Sequence, residues 1–254
     1  MANRLCTICA RGGSKGVKNK NLANIAGKPL IAHTLIQAKA SGLFDYLVVS
    51  SDSKVIRDTA MAWGADFTID RPEALATDTA AKIPAIQHAV KTAENKVNND
   101  NPFDIIVDLD ATSPLRIVSD IKNAIMEFES NREAMNLISV TNARRSPYFN
   151  MVEVHNGYAK LIKPLSDTVI RRQDTPACYD MNASIYIWRR DALFQNQRVL
   201  TDKTMTYFMP EDRSIDIDTE FDLKIVRFLA ASRMDMQELV FISRCLICTE
   251  ESLL

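Results

Sequence analysis

A mostly apolar run leads directly into a glycine-rich, basic loop near the start of the chain: residues 5–16 read LCTICARGGSKG. The short apolar run 5–10 predicts a buried strand. The glycines that follow allow a sharp turn and a close approach of the backbone to a ligand. Backbone N–H groups flanked by lysine and arginine side chains form a cradle for phosphate. This arrangement predicts an α/β protein whose ligand lies at the carboxyl end of the strand.

Charge and glycine are concentrated around this loop. Of the seven glycines in the chain, four fall within the first 27 residues. The first 44 residues contain seven lysines and arginines and no acid, whereas the remainder carries 24 cations against 32 acids. The glycine spacing matches neither the P-loop nor the dinucleotide fingerprint. The alternative is a solvated basic turn, but the long stretch without an acid favours a site for a small anionic ligand.

Composition narrows the class of protein. The 254 residues are 46% hydrophobic and 25% charged, with a formal net charge of −1, which is typical of a globular chain. A near-neutral total argues against nucleic acid as a partner, and no apolar stretch is long enough for a membrane span. Five cysteines without a visible export signal predict reduced thiols in the cytoplasm. Cys6 and Cys9 would lie on opposite faces of a strand, so a zinc site between them is not expected.

Short apolar runs alternate with helical patterns along the chain. Strands are predicted at residues 5–10, 46–50, 67–69, 105–109, 137–140 and 184–188, and helices at 30–40, 54–63, 81–95, 118–131 and 221–231. This alternation predicts a mostly parallel sheet with helices on both faces, in one domain spanning residues 1–254. Residues 142–182 break the rhythm and are interpreted as a β-rich excursion, with weak strands near 151–154 and 159–162. The tail from residue 234 onward is predicted to form an amphipathic helix.

Paired carboxylates lie in the sequence Asp216-Ile217-Asp218. In an extended segment both carboxylates share one face, while Ile217 turns to the core. Such a pair holds a hard cation such as Mg²⁺, with water and phosphate oxygens completing the coordination. An equally weighted alternative is a cluster of capping and surface charges ahead of the following helix, with Asp218 or Thr219 as the cap.

Two further polar segments follow predicted strands. Residues 108–116 read DLDATSPLR and end a buried strand, where ligands bind in this fold class; the alternative is a strand-to-helix connection with a Ser/Thr cap. Residues 71–80 read RPEALATDTA and form a polar loop between a predicted strand and a predicted helix, which by itself indicates no particular function. The three histidines fit no Ser-His-Asp or metal pattern. Cations, backbone amides and a metal between carboxylates are instead the components of phosphoryl or nucleotidyl transfer.

Taken in order, these four segments resemble the CMP-sialic acid synthetase family, the cytidylyltransferases that activate 2-keto sugar acids. The resemblance covers about residues 3–232 and rests on ordered motifs at residues 10–16 with 20–21, 71–80, 112–116 and 214–220. It implies a Rossmann-like nucleotidyltransferase fold and a homodimer, with residues 142–182 as the dimerisation and substrate arm. It also implies a Mg²⁺-dependent reaction of CTP with a nine-carbon sugar acid, which yields the CMP-sugar and pyrophosphate.

The resemblance further implies roles for individual residues. The phosphate end of CTP would be bound by Arg11, Gly12, Gly13, Ser14, Lys15 and Lys20. The cytidine pocket would be lined by Arg71, Asp78 and Ala80. The sugar acid would be contacted by Asp110, Arg172, Tyr179, Asn182 and Tyr186. The catalytic set would be Arg11, Lys15, Asp216 and Asp218, the last two holding Mg²⁺.

The sequence departs from the sialic-acid members at two places. Those members carry Gln-Pro ahead of the Thr-Ser-Pro-Leu motif, where this chain has Asp110-Ala111, and a basic residue in place of Asp180. A carboxylate at position 110 only accepts hydrogen bonds. Both changes resemble the bacterial branch that activates legionaminic acid or related diamino nonulosonates. The alternatives are a transferase for 3-deoxy-manno-octulosonate and a non-catalytic nucleotide-binding protein of the same fold.

Overall fold

The computed structural model describes residues 2–97, 102–165 and 171–237. The strands are β1 (Arg4–Cys9), β2 (Asn24–Ile25), β3 (Lys28–Pro29), β4 (Tyr46–Ser51), β5 (Phe67–Asp70), β6 (Ile105–Leu109), β7 (Asn136–Asn142), β8 (Val152–His155), β9 (Tyr158–Leu161), β10 (Tyr179–Arg189) and β11 (Thr204–Phe208). The helices are α1 (Leu30–Ser41), α2 (Lys54–Ala62), α3 (Lys82–Val97), α4 (Val118–Ser130), α5 (Arg190–Gln195) and α6 (Glu220–Ser232).

Seven strands form one sheet in the order β11-β7-β10-β6-β1-β4-β5. Strands β5, β4, β1 and β6 pair in parallel, as do β11 and β7. Strand β10 runs antiparallel to both of its neighbours, β6 and β7. The prediction of a mostly parallel sheet is therefore confirmed, and the carboxyl ends of β1, β4, β5 and β6 lie together at one edge.

Helices cover both faces of the sheet. One face packs against α1, α2 and α4 through residues such as Leu35, Ile56 and Phe128. The other face packs against α3 and α5 through residues such as Ile86 and Leu193. Helix α6 forms a third apolar cluster with the loop that follows β1 and with the residues just after β6. Buried strands between two helix layers explain why the strand segments are apolar on both faces.

Cys6 and Cys9 confirm the expected alternation along β1. Cys6 is buried in the cluster beneath α1 and α4, whereas Cys9 packs on the face covered by α3. Both are free thiols, as is Cys178. Burial raises the pKa of the Cys9 thiol to about 12, with Asp108 as the second cause. Cys245 and Cys248 lie outside the described residues.

Local signals place the helix ends where the chain must turn. Helix α1 follows Pro29 and ends at Gly42, whose φ of 67° lies in the left-handed region that glycine adopts readily. Thr219 caps α6: its Oγ1 accepts from the Asp222 N–H at 3.3 Å, while the Thr219 N–H donates to Asp222 Oδ2 at 2.7 Å. This reciprocal pair is a capping box with aspartate in the third position.

The irregular segment 142–182 contains an antiparallel hairpin, β8–β9, at the two places where weak strands are predicted. Strand β10 begins inside this segment at Tyr179, five residues before the predicted start. Helix α5 and the short β2–β3 pair have no counterpart among the predicted elements. The tail predicted to be helical begins at residue 234: residues 234–237 are helical, and the rest of the tail lies outside the described residues. Within the described residues, no helix has an apolar stretch sufficient to cross a membrane.

Candidate active site

Loops from four parts of the chain meet around one cavity of about 360 Å³ at the carboxyl edge of the parallel strands. They are the loop after β1, the loop between β5 and α3, the turn after β6 and the segment before α6. The predicted site residues that line it are Arg11, Ser14, Lys15, Lys20, Arg71, Asp78, Ala80, Asp110 and Asp218. Three of the four sequence motifs are brought together by the shared direction of β1, β5 and β6. The fourth follows β11 and is tied to the turn after β6 by the bond from the Ile217 N–H to the Thr112 carbonyl.

Arg11 and Lys15 form the basic wall of this cavity, and both contact Asp78. Lys15 Nζ lies 2.5 Å from Asp78 Oδ2, and Arg11 Nη1 donates to Asp78 Oδ1 at 2.7 Å. The hydrogen bonds from Lys15 and Arg11 lower the pKa of the Asp78 carboxyl. The Asp78 carboxylate therefore neutralises the two cations that the resemblance assigns to phosphate.

The glycine-rich loop is held against the segment 216–218. Lys20 Nζ donates to the carbonyl oxygen of Ile217 and lies 3.1 Å from Asp218 Oδ1. Asn21 Nδ2 donates to the Arg11 carbonyl at 3.0 Å, which fixes the start of the loop. A Cβ atom at Gly16 would lie 1.9 Å from the Asp218 carbonyl oxygen. Glycine at position 16 is what permits the two backbones to touch.

Asp216 and Asp218 flank Ile217, which is fully buried as predicted. The Ile217 N–H donates to the Thr112 carbonyl at 3.0 Å, so this segment is tied to the turn after β6. Burial, followed by repulsion from Asp218, raises the pKa of the Asp216 carboxyl to about 6. In the part of the chain that the structure describes, no group of three or more His, Cys, Asp or Glu side chains is arranged to hold a metal. The pair fits a divalent cation that takes its remaining ligands from water and phosphate, because such a cation would relieve the repulsion between the carboxylates.

Lys82, the first residue of α3, is a cavity residue that the sequence did not single out. Its Nζ lies 3.0 Å from Asp108 Oδ2 and 2.9 Å from Asp110 Oδ2. The same ammonium group stands 4.1 Å from the centre of the Tyr186 ring. Burial alone would lower the pKa of Lys82, but Asp108 and Asp110 hold it well above its usual value. A single lysine at a helix start resembles a solvated residue in sequence, so only packing reveals this cluster.

Arg116, from the TSPLR motif, lies fully buried beneath the turn after β6. It donates to the Asp110 carbonyl at 2.6 Å, to the Ser184 carbonyl at 2.6 Å and to Gln37 Oε1 at 3.0 Å. Burial lowers the pKa of the Arg116 guanidinium to about 10. Because the side chain is fully buried and each of its three nitrogens donates to a protein acceptor, Arg116 supports the turn that carries Asp110.

Arg71 is nearly buried at the back of the cavity. Its Nε donates to Ser50 Oγ at 3.1 Å, and Nη2 donates to the Ser50 carbonyl at 2.7 Å. These bonds hold the guanidinium at the end of β4, and Ala80 lines the same cavity.

The remaining predicted site residues, Asp216 among them, are not part of the cavity lining. The Gly12 N–H is already bonded to Asp52 Oδ1 at 2.9 Å, and Gly13 lies beside it in the loop. Tyr186 is buried beneath Lys82. Asn182 is buried as well, with its side chain bonded to Ser139 and Ser214. Their assignments to ligand binding stay predictions.

Arg172 belongs to a second, basic cavity of about 750 Å³ next to the irregular segment. Arg144, Arg145 and Glu211 line the same cavity. The guanidinium of Arg172 donates to the Ala143 carbonyl. Tyr179 is half-exposed at the start of β10 and packs edge-on against Phe208 at 6.5 Å between ring centres. The sugar-acid residues predicted from the sequence are thus not brought together within one chain: Asp110 lines the first cavity, Arg172 lines the second, and the other three line neither.

Comparison with known proteins now identifies the family. The model of a family described as cytidylyltransferase matches residues 5–241. The chain belongs to the cytidylyltransferase family. The predicted family and enzyme class, a nucleotidyltransferase, are therefore confirmed.

Several curated relatives match most of this cytidylyltransferase. A post-translational flagellin modification protein B from Campylobacter coli is 47% identical over 90% of this chain and 95% of the relative. A CMP-N,N'-diacetyllegionaminic acid synthase from Campylobacter jejuni is 46% identical with the same coverage. An N-acylneuraminate cytidylyltransferase from Streptococcus agalactiae is 33% identical over 86% of this chain, which corresponds to 51% of that longer protein.

Solved structures support the fold. CMP:2-keto-3-deoxy-manno-octonic acid synthetase, in a complex with CTP, matches with a TM-score of 0.67 and 18% identity over 91% of this chain and 99% of that one. A 4-diphosphocytidyl-2C-methyl-D-erythritol synthase from Anaerococcus prevotii matches with a TM-score of 0.59 and 11% identity over 89% and 95%. The Rossmann-like nucleotidyltransferase fold expected from the sequence is confirmed.

Proposed function

We propose that this cytidylyltransferase transfers the cytidylyl group of CTP to a nine-carbon 2-keto sugar acid of the legionaminic or sialic acid type and releases pyrophosphate. The observation that carries the proposal is the 46% identity to a CMP-N,N'-diacetyllegionaminic acid synthase, which extends over 95% of that relative. The identity to the N-acylneuraminate cytidylyltransferase is lower, at 33%. A diamino nonulosonate of the legionaminic type is therefore the favoured substrate.

In the proposed reaction the anomeric hydroxyl oxygen of the sugar acid attacks the α-phosphorus of CTP. A new P–O bond forms, the bond to the β-phosphate bridging oxygen breaks, and pyrophosphate leaves. Arg11 and Lys15 would exchange their contacts with Asp78 for phosphate oxygens, so that charge developing on the leaving group is neutralised. Lys20 has a largely buried side chain at the junction of the two loops and would contact the same anion.

The cation proposed for this reaction is Mg²⁺. Asp216 and Asp218 are the residues that would hold it. Burial, followed by repulsion from Asp218, raises the pKa of Asp216, and a divalent cation beside the two carboxylates would favour their ionised forms. When bound, the metal would polarise phosphate oxygens and reduce the charge repulsion between CTP and these carboxylates. Lys20 already contacts Asp218 and would help to keep that carboxylate in place.

The nucleoside and the sugar acid are proposed to occupy opposite ends of the site. Arg71, Asp78 and Ala80 would surround cytidine, since all three line the cavity beneath the loop before α3. Asp110 lines the same cavity and would contact the sugar acid. Arg172 and Tyr179 would reach the sugar acid only from a second copy of the chain, because they lie away from this cavity, with Arg172 in a separate basic one.

A homodimer is proposed, formed through the segment 142–182 of a single catalytic domain. Every residue of the β8–β9 hairpin is exposed on both faces. Cross-strand pairing places Val152, Val154, Ala159 and Leu161 on one face of this hairpin. An isolated two-stranded hairpin with an apolar face is marginally stable in water, which favours a partner surface.

A cytoplasmic location is also proposed. Cys6, Cys9 and Cys178 are free thiols, which fits that location.

Pyrophosphate release from purified protein tests the proposal directly. The assay would combine each of four nucleoside triphosphates with N,N'-diacetyllegionaminate, N-acetylneuraminate and 3-deoxy-manno-octulosonate. The expected result is release that requires CTP and a divalent cation, with the highest kcat/KM for the legionaminate. A kcat/KM for N-acetylneuraminate well above that for the diacetamido sugar acids would overturn the substrate assignment.

Substitution Asp218→Ala tests the metal pair. We expect kcat to fall by about 100-fold or more, because a charge-neutralising group at the transferring phosphate is lost. The Tm should be unchanged, since the Asp218 side chain is 73% exposed. Glu220→Ala is the matched control: its carboxylate is exposed in the first turn of α6, and its kcat should stay within about twofold of the wild type. Unchanged cation-dependent turnover in Asp218→Ala would remove this pair from the reaction.

A further inference from the structure

A row of polar side chains crosses the sheet directly beneath the cavity. In the strand register, Asp108 of β6 is paired with Tyr186 of β10 on one side and with Thr7 of β1 on the other. Thr7 Oγ1 donates to Asp108 Oδ1 at 2.8 Å. Asp108 itself is fully buried in the middle of the sheet. A carboxylate in such a position requires a buried cation as its partner.

Lys82 is the cation that faces Asp108. Its ammonium group lies 3.0 Å from Asp108 Oδ2 and 2.9 Å from Asp110 Oδ2, over the face of the Tyr186 ring. It donates a hydrogen bond to Asp110 Oδ2, whereas its contact with Asp108 Oδ2 is an ion pair without hydrogen-bond geometry. Lys82 therefore holds Asp110 by a directed bond and balances the charge of Asp108, while its side chain lines the cavity.

Asp110 retains a free hydrogen-bond acceptor position. Its Oδ1 accepts from the Thr112 N–H at 3.1 Å and from Thr112 Oγ1 at 3.0 Å, and its Oδ2 accepts from Lys82. An ionised carboxylate offers about four acceptor positions, so one remains. The side chain is 22% exposed, and it lines the cavity. The attraction of Lys82 outweighs the effect of burial and lowers the pKa of Asp110.

We propose that Lys82 is a positioning residue that holds Asp110 on the cavity wall as an ionised acceptor, where it selects ligands that offer a hydroxyl group. The inference rests on the proposed function, because the hydroxyl would belong to the ribose of the nucleotide or to the sugar acid. Hydrogen bonds to an ionised acceptor are about twice as strong as those between neutral groups. A site built in this way rejects an analogue that lacks the hydroxyl, because the carboxylate would then be left without its partner.

The inference is tested by a cycle that combines protein variants with deoxy analogues of the ligands. The affinities of CTP, 2′-deoxy-CTP and 3′-deoxy-CTP would be measured by titration calorimetry, and KM would be measured for the sugar acid and its single deoxy analogues. In the wild type, loss of one particular hydroxyl should weaken binding by about tenfold or more, and this factor is called the hydroxyl penalty. In Lys82→Met that penalty should fall below about threefold, with KM changed more than kcat. The nucleotide and sugar arms identify which ligand supplies the hydroxyl.

Matched variants show whether Lys82 positions Asp110 or only stabilises the fold. Lys82→Arg keeps the charge and should keep most of the hydroxyl penalty. Asp110→Asn should lose the penalty as Lys82→Met does, and the double variant should be no worse than either single one. Lys82→Met leaves buried Asp108 unpaired, so Lys82→Met with Asp108→Asn is the variant to use if the single change does not fold. The amide oxygen introduced by Asp108→Asn can still accept from Thr7.

Three results would overturn the inference. One is a hydroxyl penalty in Lys82→Met, or in its double variant, as large as in the wild type. Another is an active wild type that binds each deoxy analogue as tightly as the parent ligand. That result would overturn the inference but not the proposed function. The third is a wild type that releases pyrophosphate with none of the nucleotide and sugar-acid pairs, and that result would overturn the proposed function as well.

Discussion

At the scale of single residues, Gly16 shows how a small side chain decides the geometry of the site. The loop after β1 and the segment before α6 are distant in the chain, and they touch through backbone atoms at Gly16 and Asp218. Lys20 bridges the same junction. The position of the glycine-rich loop relative to the paired carboxylates therefore depends on the lack of a Cβ at this residue.

Gly16→Ala is expected to separate the two loops. The added Cβ would meet the Asp218 carbonyl oxygen at 1.9 Å, and backbone must move to relieve this contact. We expect Tm to fall by about 4 °C or more and kcat/KM to fall by about tenfold or more. Differential scanning calorimetry and the pyrophosphate assay measure both.

Gly13→Ala is the control for the stability effect, because a Cβ there would meet nothing within 4 Å. Its Tm should remain within about 1 °C of the wild type. Equal losses of Tm in the two variants would show that the contact at Gly16 is not the cause.

At the scale of secondary-structure elements, β10 connects the sheet to the irregular segment. Its pairing with β7 shifts register between Met181 and Tyr186, and Ala183 within this bulge has a φ of 52°. Asn182 turns inward at the bulge: Oδ1 accepts from Ser139 Oγ at 2.6 Å, and Nδ2 donates to Ser214 Oγ at 2.9 Å. The bulge thereby links β7, β10 and the segment that leads to Asp216.

Asn182→Ala is expected to destabilise the fold. The change removes the Asn182 partner of Ser139 and of Ser214 in a buried site, which costs about 1–3 kcal/mol of unfolding free energy. Urea denaturation of the wild type and the variant measures this difference. A variant with wild-type stability and a raised KM for the sugar acid would instead support the role in ligand binding that the sequence resemblance implies.

Helix α1 and strand β2 are joined by a buried histidine. His33 Nε2 lies 2.8 Å from the Ile25 carbonyl, so this nitrogen carries the proton of a neutral imidazole and donates it. Burial is the main cause that lowers the pKa of His33 to about 4, and Lys28 adds to it. The unfolded chain thus binds a proton at a higher pH than the folded protein does.

The folded protein should lose stability as the pH falls from about 6.5 to about 4, by up to about 3 kcal/mol from His33. The stability that neutral His33 contributes is fully present above pH 6.5. It is lost as the pH falls to about 4, and no further loss from His33 is expected below that pH. His33→Gln keeps a donor for the Ile25 carbonyl without a titrating group. The difference in unfolding free energy between the two proteins should follow this curve, because the opposite contribution of Asp216 is common to both. A pH-independent difference would contradict the assignment.

At the scale of the whole molecule, opposite charges are sorted to two walls of one site. The basic residues of the first 44 positions supply Arg11, Lys15 and Lys20, and the acidic remainder supplies Asp78 and Asp218. Each of these three cations is paired with one of the two acids across the cavity. Asp78 and Asp218 therefore neutralise part of the positive charge that the glycine-rich loop brings to the cavity.

Assembly is the prediction that belongs to this scale. Val154→Asp places a charge on the apolar face of the β8–β9 hairpin, where Val154 is 65% exposed in one chain. If the hairpin forms the dimer contact, the dissociation constant of the dimer should rise by about 30-fold or more. Sedimentation equilibrium measures it.

Met126→Asp is the matched control, because Met126 is comparably exposed on α4. A wild-type dissociation constant in both variants, or a monomeric wild type, would exclude the hairpin as the dimer interface.

Local pattern in the sequence was sufficient for most strands of the sheet and its mostly parallel character, for most of the helices and for the motifs that meet at the site. Buried strands such as β6 are apolar through most of their length, and helices such as α4 have a regular apolar face, so each is visible within a short window. The direction of the parallel strands then places residues 10–16, 71–80 and 108–116 at one edge without further information. The resemblance to a known family named the same positions.

Only the tertiary structure decided which groups neutralise one another. Lys82 and Asp110 are 28 residues apart, and Lys20 and Asp218 are 198 apart, so no local window contains either pair. The burial of Asn182 depends on a register shift in β10 that leaves no clear mark in the sequence. The glycine-rich loop could be recognised from residues 10–16 alone, but the need for glycine at position 16 arises from the Asp218 backbone packed against it. Contacts between distant segments have this property in general, because packing selects them after the local elements have formed.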